Sequence, residues 1–412
     1  KSDIVNPEIH VLVLNTIGNM ALEKELRKEI MFECTIDLIK SCLRSNDSQV
    51  VKQATRVLAI FGQNELVSGF GTSKRGIRVL TLDGGGTRGL VTCKLLQAIE
   101  EKTGKKICDL FDYVCGTSTG AILASLILSG RNMATISTLY RDLCSLIFVP
   151  SGSAKKNVEK ESETTTLSMD SFEDRDNKLT SSWVPTPAKG TWAQLIATTS
   201  MIKRGSFYSI KPLEDILQKL YGQMASIDTV MESTVKVSLV STLVTVSPPA
   251  TYVFRNYTFG PDVSDSRYKG DCSSKYWHGV RASSAAPTYF DSLKKDGNIF
   301  QDGALTANNP TAIALHEVKK IWPNRKLDVV VSCGTGKTPE KATKGSYYVN
   351  LCQTLISSCT DTENISGIVS DFLPADTYYR LQPEDDVFGC DLAEVSPKVL
   401  DKLEAKTQAY VR

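Results

Sequence analysis

Three short stretches carry residue types that together could perform one reaction: Asp83-Gly84-Gly85-Gly86-Thr87-Arg88-Gly89, Gly116-Thr117-Ser118-Thr119-Gly120 and Asp302-Gly303. Ser118, with glycine two places before and two after, has the spacing of a nucleophile elbow. A serine hydroxyl projecting from a tight strand-to-helix turn needs small neighbours at Gly116 and Gly120, so that strand and helix do not collide. The successive glycines let backbone N–H groups converge in one concavity at a positive helix end, where a developing oxyanion is stabilised. Asp302 offers a carboxylate as base. The combined chemistry is acyl transfer through a serine, with no metal required: no EF-hand loop or zinc-ligand spacing is present.

Competing uses of these stretches fit less well. A bare Gly-x-Ser-x-Gly match arises by chance on the order of 0.1 times in a chain of this length, so the flanking strand and helix carry the inference. A nucleotide loop of the Walker kind needs Gly-Lys-Ser/Thr at its end, and Thr87-Arg88-Gly89 stands there instead. The dinucleotide fingerprint is not matched either. Arg88 either holds the loop, the simpler reading, or meets a phosphate-bearing substrate. A Ser-Asp-His triad requires a histidine near Ser118, and the chain has three: His10, His278 and His316. His10 sits in a repeat-like helical segment. His278 falls in a loop-like stretch after Trp277, and His316 lies within a helical run, Thr311 to Ile321. A dyad of Ser118 and Asp302 fits better than any triad. An aspartate with an ordinary pKa near 4 is a weak base, so the pair would rely on a close hydrogen bond and on the oxyanion donors. A His-containing esterase or transacylase, and a silent lipid-binding scaffold, stand as the alternatives.

The elements that must position these residues are legible in outline. Ile77–Leu82 reads as a strand meeting the glycine cluster, followed by a helical pattern from Leu90 to Lys102. Phe111–Cys115 reads as the strand before the elbow, and Ala121–Leu128 as the buried helix after it. Val235–Val240 and Leu327–Ser332 are further strands, and Ile299-Phe300-Gln301 leads Asp302 out of a strand end into a turn and a helix. Strands alternating with helices predict an α/β fold with a parallel sheet covered on both faces. The first seventy residues read as all-helical, with Ile17 and Met20 matching Leu58 and Phe61 at an offset within the armadillo and HEAT range. One and a half repeats cannot stand alone, so this segment should dock on the sheet-forming part of the chain or continue an array upstream. A plain helical pair is the simpler alternative. Residues 149–190 are Ser-, Thr-, Lys- and Glu-rich and read as a disordered insertion, with a lid over the site as a further option.

Composition bounds the rest. With 412 residues, 41% hydrophobic and 23% charged, the chain is an ordinary globular one, and a net charge of +2 gives no field that argues for nucleic acid. Eleven cysteines, scattered and mostly in apolar runs such as those of Cys93, Cys115 and Cys333, read as small hydrophobes in a reducing compartment. No apolar stretch is long enough to span a bilayer. The chain begins at Lys1 in polar sequence, which reads as a processed form that has lost targeting information. Trp183, Trp192, Phe207 and Tyr208, beside Lys203 and Arg204, could dip into an interface, though ordinary core and surface roles are simpler.

Beyond the three stretches, Phe254-Arg255-Asn256-Tyr257, Arg281-Ala282-Ser283-Ser284-Ala285-Ala286-Pro287, Asn308-Asn309-Pro310 and Ser332-Cys333-Gly334-Thr335-Gly336 follow in order. Asp361-Thr362-Glu363 and Leu373-Pro374 through Tyr378-Tyr379-Arg380 complete the set. This set resembles that of the patatin-like phospholipases, most closely the calcium-independent phospholipase A2 gamma type, over residues 76–412. The resemblance implies a three-layer sandwich with a mostly parallel central sheet, here preceded by a small armadillo-like segment over 1–70. It implies hydrolysis of fatty acyl esters of glycerophospholipids without calcium or another cofactor. By position Ser118 would be nucleophile, Asp302 base, and Gly84, Gly85 and Gly86 oxyanion donors, with Asp83, Arg88 and Gly303 supporting them. Thr117 and Ala304 are size-conservative departures. The implied partner is a phospholipid membrane surface inside the cell, on mitochondria, peroxisomes or endoplasmic reticulum. The helical segment is left for a second copy or another protein.

Overall fold

The computed structural model describes residues 6–70, 73–148, 206–261, 263–339 and 361–412. The 149–190 insertion and its lid reading, with Trp183, Trp192, Lys203 and Arg204, fall outside the described residues. The described chain is built on one nine-stranded sheet in the order β5-β4-β3-β2-β1-β8-β9, with β7 on β3 and β6 on β7. These strands are β1 (Ile77–Leu82), β2 (Tyr113–Thr117), β3 (Lys236–Leu243), β4 (Ala250–Arg255), β5 (Lys269–Asp271), β6 (Leu293–Lys295), β7 (Asn298–Asp302), β8 (Leu327–Cys333) and β9 (Tyr378–Leu381). Pairing is parallel across β3-β2-β1-β8-β9, and antiparallel where β4 and β7 join β3.

Because successive strand side chains point to opposite faces, each inner strand feeds two cores. Leu80 and Leu82 of β1 and Val114 of β2 enter one core with helices α6 (Gly89–Thr103), α8 (Thr119–Leu128) and α9 (Met133–Ile147). Ile77, Val79, Tyr113 and Cys115 enter the other, covered by α13 (Thr311–Ile321). The sheet is therefore the middle of three layers. Strand β2 starts two residues later than the sequence predicts and runs on to Thr117, because its last residues pair with Leu239 and Val240 of β3. The sequence does not reveal β4, β5 and β6, since they are short or only partly buried. His278 lies in a helix, α11 (Tyr276–Ser283), rather than in a loop.

The N-terminal segment is helical throughout: α1 (Pro7–Ala21), α2 (Lys24–Ile30), α3 (Glu33–Cys42), α4 (Ser48–Ile60) and the single turn α5 (Asn64–Val67). The Ser45–Ser48 stretch is the turn between α3 and α4, where the Asp47 carboxylate accepts the N–H groups of Gln49 and Val50. The two positions paired by the offset differ in environment: Phe61 is fully buried and Met20 is 44% exposed. The segment packs on the sheet domain through Ile227 and Val230. Arg56 Nε donates to Asp228 Oδ1 at 2.5 Å, and Thr258 Oγ1 donates to the Ile60 carbonyl at 2.7 Å. At Gly62 (φ +71°) an added Cβ would lie 2.3 Å from the Phe259 carbonyl oxygen. Gly62→Ala should lower unfolding stability by about 1–3 kcal/mol, the cost of a forced left-handed residue. Chemical denaturation measures this, and a variant as stable as wild type would contradict the tight seam.

Candidate active site

Ser118 sits where β2 ends and α8 begins. Its backbone is held at φ 53°, ψ −119°, a conformation that costs a non-glycine residue roughly 1–3 kcal/mol and persists only where the surroundings enforce it. The surroundings are visible. Ser118 N–H donates to Ser283 Oγ at 2.8 Å, and Ser283 Oγ–H donates in turn to the Val240 carbonyl. The Ser118 carbonyl accepts the N–H groups of Ala121 and Ile122. The glycines leave no room for side chains: a Cβ on Gly116 would lie 2.2 Å from the Gly120 carbonyl oxygen, and one on Gly120 2.1 Å from that of Leu82.

Asp302 arrives from the opposite direction. Strand β3 pairs with β2 as far as Thr117 opposite Val240, and its next residue, Ser241, pairs with Asp302 of β7. The C-terminal ends of β2 and β7 thus meet head-on along one edge of β3. Ser118 Oγ donates to Asp302 Oδ2 at 2.7 Å, and Ala304 N–H donates to Asp302 Oδ1 at 2.8 Å. Asp302 is 2% exposed. Burial pushes its pKa up to about 6, against the lowering pull of the two hydrogen bonds. Gly303 is required by contact as well, since its Cβ would lie 2.2 Å from the Val240 carbonyl oxygen.

The glycine loop closes the third side. Gly84 approaches so closely that a Cβ there would lie 3.2 Å from Ser118 Cβ. Its N–H donates to the Asn308 carbonyl at 3.3 Å, so of the three expected donors Gly84 is already engaged. The N–H groups of Gly85 and Gly86 make no hydrogen bond among the described residues, and neither does that of Thr119, the residue after Ser118. Arg88 holds the loop: its Nε donates to the Gly85 carbonyl at 3.3 Å and its Nη1 to that of Phe388 at 2.9 Å. Asp83 is buried and accepts Arg380 Nη2 at 2.6 Å.

Neither histidine of the sheet domain joins this group. The ring of His278 rests against Trp277, and that of His316 against Tyr268. Burial lowers both pKa values, that of His278 to about 4. Cys93, Cys115 and Cys333 are buried free thiols, as their apolar setting suggests. Tyr208 packs among Phe148, Tyr289 and Phe290, an ordinary core role. The sequence alone gives no part to Ser283, Thr119 or Arg380. The stretches containing Ser283 and Arg380 stand out in the sequence, yet nothing local there tells which atom each side chain reaches.

A strained serine hydrogen-bonded to a buried carboxylate, beside N–H groups that make no hydrogen bond among the described residues, has the parts that acyl transfer through a serine requires. A family model for the patatin-like phospholipases matches residues 80–315, more than half of the 412, and the chain belongs to that family. It is 32% identical to Phospholipase A I of Arabidopsis thaliana over 99% of this chain and 32% of that protein. It is 35% identical to Calcium-independent phospholipase A2-gamma of Mus musculus, over 90% of this chain and 42% of that protein. The chain thus spans well under half the length of these curated relatives. Among solved structures, VipD from Legionella pneumophila aligns at a TM-score of 0.39 and 13% identity, over 82% of this chain and 66% of that one.

Asp302 is charged above its raised pKa and neutral below it, so its burial favours the folded state at low pH and costs stability as pH rises through about 6. Asp302→Asn should therefore be more stable than wild type at pH 8, by up to about 3 kcal/mol. The advantage should vanish below pH 4, the ordinary carboxylate range. Thermal melts across pH read this, and a variant less stable at pH 8 would contradict the buried carboxylate.

Proposed function

We propose that this chain is a calcium-independent lipid acyl hydrolase of the phospholipase A type, working through a Ser118–Asp302 dyad. The observation that carries the reading is the 2.7 Å hydrogen bond from Ser118 Oγ to Asp302 Oδ2, made at an elbow with unpaired N–H groups alongside. Asp302 takes the Ser118 proton as Oγ bonds to the ester carbonyl carbon. The carbonyl oxygen becomes an oxyanion, met by the N–H groups of Gly85 and Gly86, with Thr119 a third donor. Collapse breaks the ester C–O bond, and the leaving alkoxide of the lysolipid takes the proton from Asp302. Water then attacks the acyl-enzyme and gives its proton to Asp302. Fatty acid leaves as Ser118 regains its hydrogen.

A pKa of about 6 makes Asp302 a better base than an ordinary aspartate while keeping it ionised at neutral pH. Family membership and the names of the relatives support glycerophospholipid as the ester, and the reading places the enzyme peripherally on an intracellular membrane surface. No helix among the described residues is long and apolar enough to cross a membrane. Among the described residues no group of three or more His, Cys, Asp or Glu side chains is arranged to hold a metal, and the steps above call on none.

Fatty-acid release from mixed phospholipid vesicles, measured in excess chelator, tests the reading. Wild type should release acid at an undiminished rate, and Ser118→Ala and Asp302→Asn should each lose at least about 10³-fold. Full activity in either variant, or loss of wild-type activity to the chelator, would overturn it. The products also assign positional preference.

A further inference from the structure

The glycine loop carries the oxyanion donors, yet most of what holds it comes from the far end of the chain. Thr335 Oγ1 donates to the Gly84 carbonyl at 3.1 Å, Thr87 N–H donates to the Leu392 carbonyl at 2.8 Å, and Arg88 reaches the Phe388 carbonyl. All three partners lie beyond the family-matched residues 80–315. Arg380 on β9 is the charged anchor supplied to the loop from that end among the described residues. Its Nη2 donates to Asp83 Oδ2 at 2.6 Å and to Glu363 Oε1 at 2.7 Å, while Nη1 donates to Ser332 Oγ at 2.9 Å.

Arg380 is 11% exposed and Asp83 1%. Burial lifts the Asp83 pKa to about 6, against the pull of Arg380. A buried carboxylate without that cation would carry an uncompensated charge or take up a proton. Asp83 directly precedes Gly84, so the pairing that holds its side chain is anchored one residue from the first peptide of the loop. The same cluster reaches the base side: Ser332 Oγ bonds Thr311 Oγ1 at 3.2 Å, Thr311 bonds Asn309 Oδ1, and Asn309 Nδ2 donates to the Thr362 carbonyl at 3.0 Å. Asn308, beside Asn309, receives the Gly84 N–H through its carbonyl. The loop of donors and the turn after Asp302 are thus tied to one buried guanidinium.

We infer that Arg380 is a positioning residue for the hydrolysis proposed above: its fork, shared among Asp83, Ser332 and Glu363, fixes the glycine loop at the distance the oxyanion requires. A lysine cannot reproduce this, because a single ammonium has no planar fork to span three acceptors. The inference rests on the serine-hydrolase reading but not on the identity of the lipid. A donor used only in the transition state lowers kcat and kcat/KM together and leaves KM alone. Misplacement by about 1 Å costs on the order of 10²-fold in rate.

The test uses p-nitrophenyl butyrate hydrolysis, with kcat expressed per Ser118 titrated by a fluorophosphonate so that unfolded protein is not counted. Arg380→Met should lose about 10²-fold in kcat per titrated site with KM within twofold of wild type, and Arg380→Lys should fall between the two. A kcat per site within twofold of wild type for Arg380→Met, or a loss confined to KM, overturns the assignment. Should Arg380→Met not yield folded protein, Arg380→Lys decides alone: a several-fold lower kcat per site at unchanged KM supports it, and unchanged kcat overturns it. If wild type turns over the chromogenic ester but releases no fatty acid from vesicles, the phospholipid reading fails and this one is still decided.

Discussion

One edge of β3 pairs with two strands in succession, and the site depends on that handover. Where β2 leaves the edge after Thr117, β7 takes it over at Asp302. A parallel strand and an antiparallel strand therefore end against each other, bringing their last side chains within a hydrogen bond. Residues 184 apart in sequence could be joined by loops, but loops are the least exact scaffold for a proton transfer. Ladder hydrogen bonds on β3 set the separation instead, and Ser283 pins the elbow to Val240 on that same strand. Ser118, Asp302 and the clamp on the Ser118 backbone all refer to one strand.

That arrangement is costly in two ways. Ser118 is held in a strained backbone conformation, and Asp302 is stripped of water so that its charged form is disfavoured. Both costs serve the proposed chemistry. The strain projects the hydroxyl away from its own helix, and desolvation raises the basicity of a carboxylate that water would leave too weak. Histidine is the usual solution to the same problem. In the proposed dyad its role falls to a buried carboxylate, while the two histidines within the sheet domain pack on aromatic rings.

Much of this is legible in the sequence, and the limits have physical causes. Ile77–Leu82 is readable as a strand because both its faces are buried and the glycine cluster ends it. The elbow is readable because Gly116 and Gly120 are demanded by contacts at fixed spacing. The basicity of Asp302 is not, since an ordinary pKa near 4 is a property of exposure, and burial is set by packing distant in sequence. The engagement of Gly84 by Asn308 is equally hidden: all three glycines look alike until the neighbouring turn is in place. Short strands such as β5 and β6 (Lys269–Asp271, Leu293–Lys295) escape because three residues of mixed polarity carry no period to detect. The repeat-like offset in the helical segment pairs Met20 with Phe61, one exposed and one buried, because apolar spacing records helix faces and not what covers them.

Whether Asp302 serves as base for Ser118 is decided by the rate at which a fluorophosphonate phosphonylates Ser118 as a function of pH. With Asp302 as base, the rate climbs through a single inflection near pH 6, the raised value for Asp302, and loses this inflection in Asp302→Asn. An inflection that survives in Asp302→Asn and disappears when His278 or His316 is replaced would contradict it.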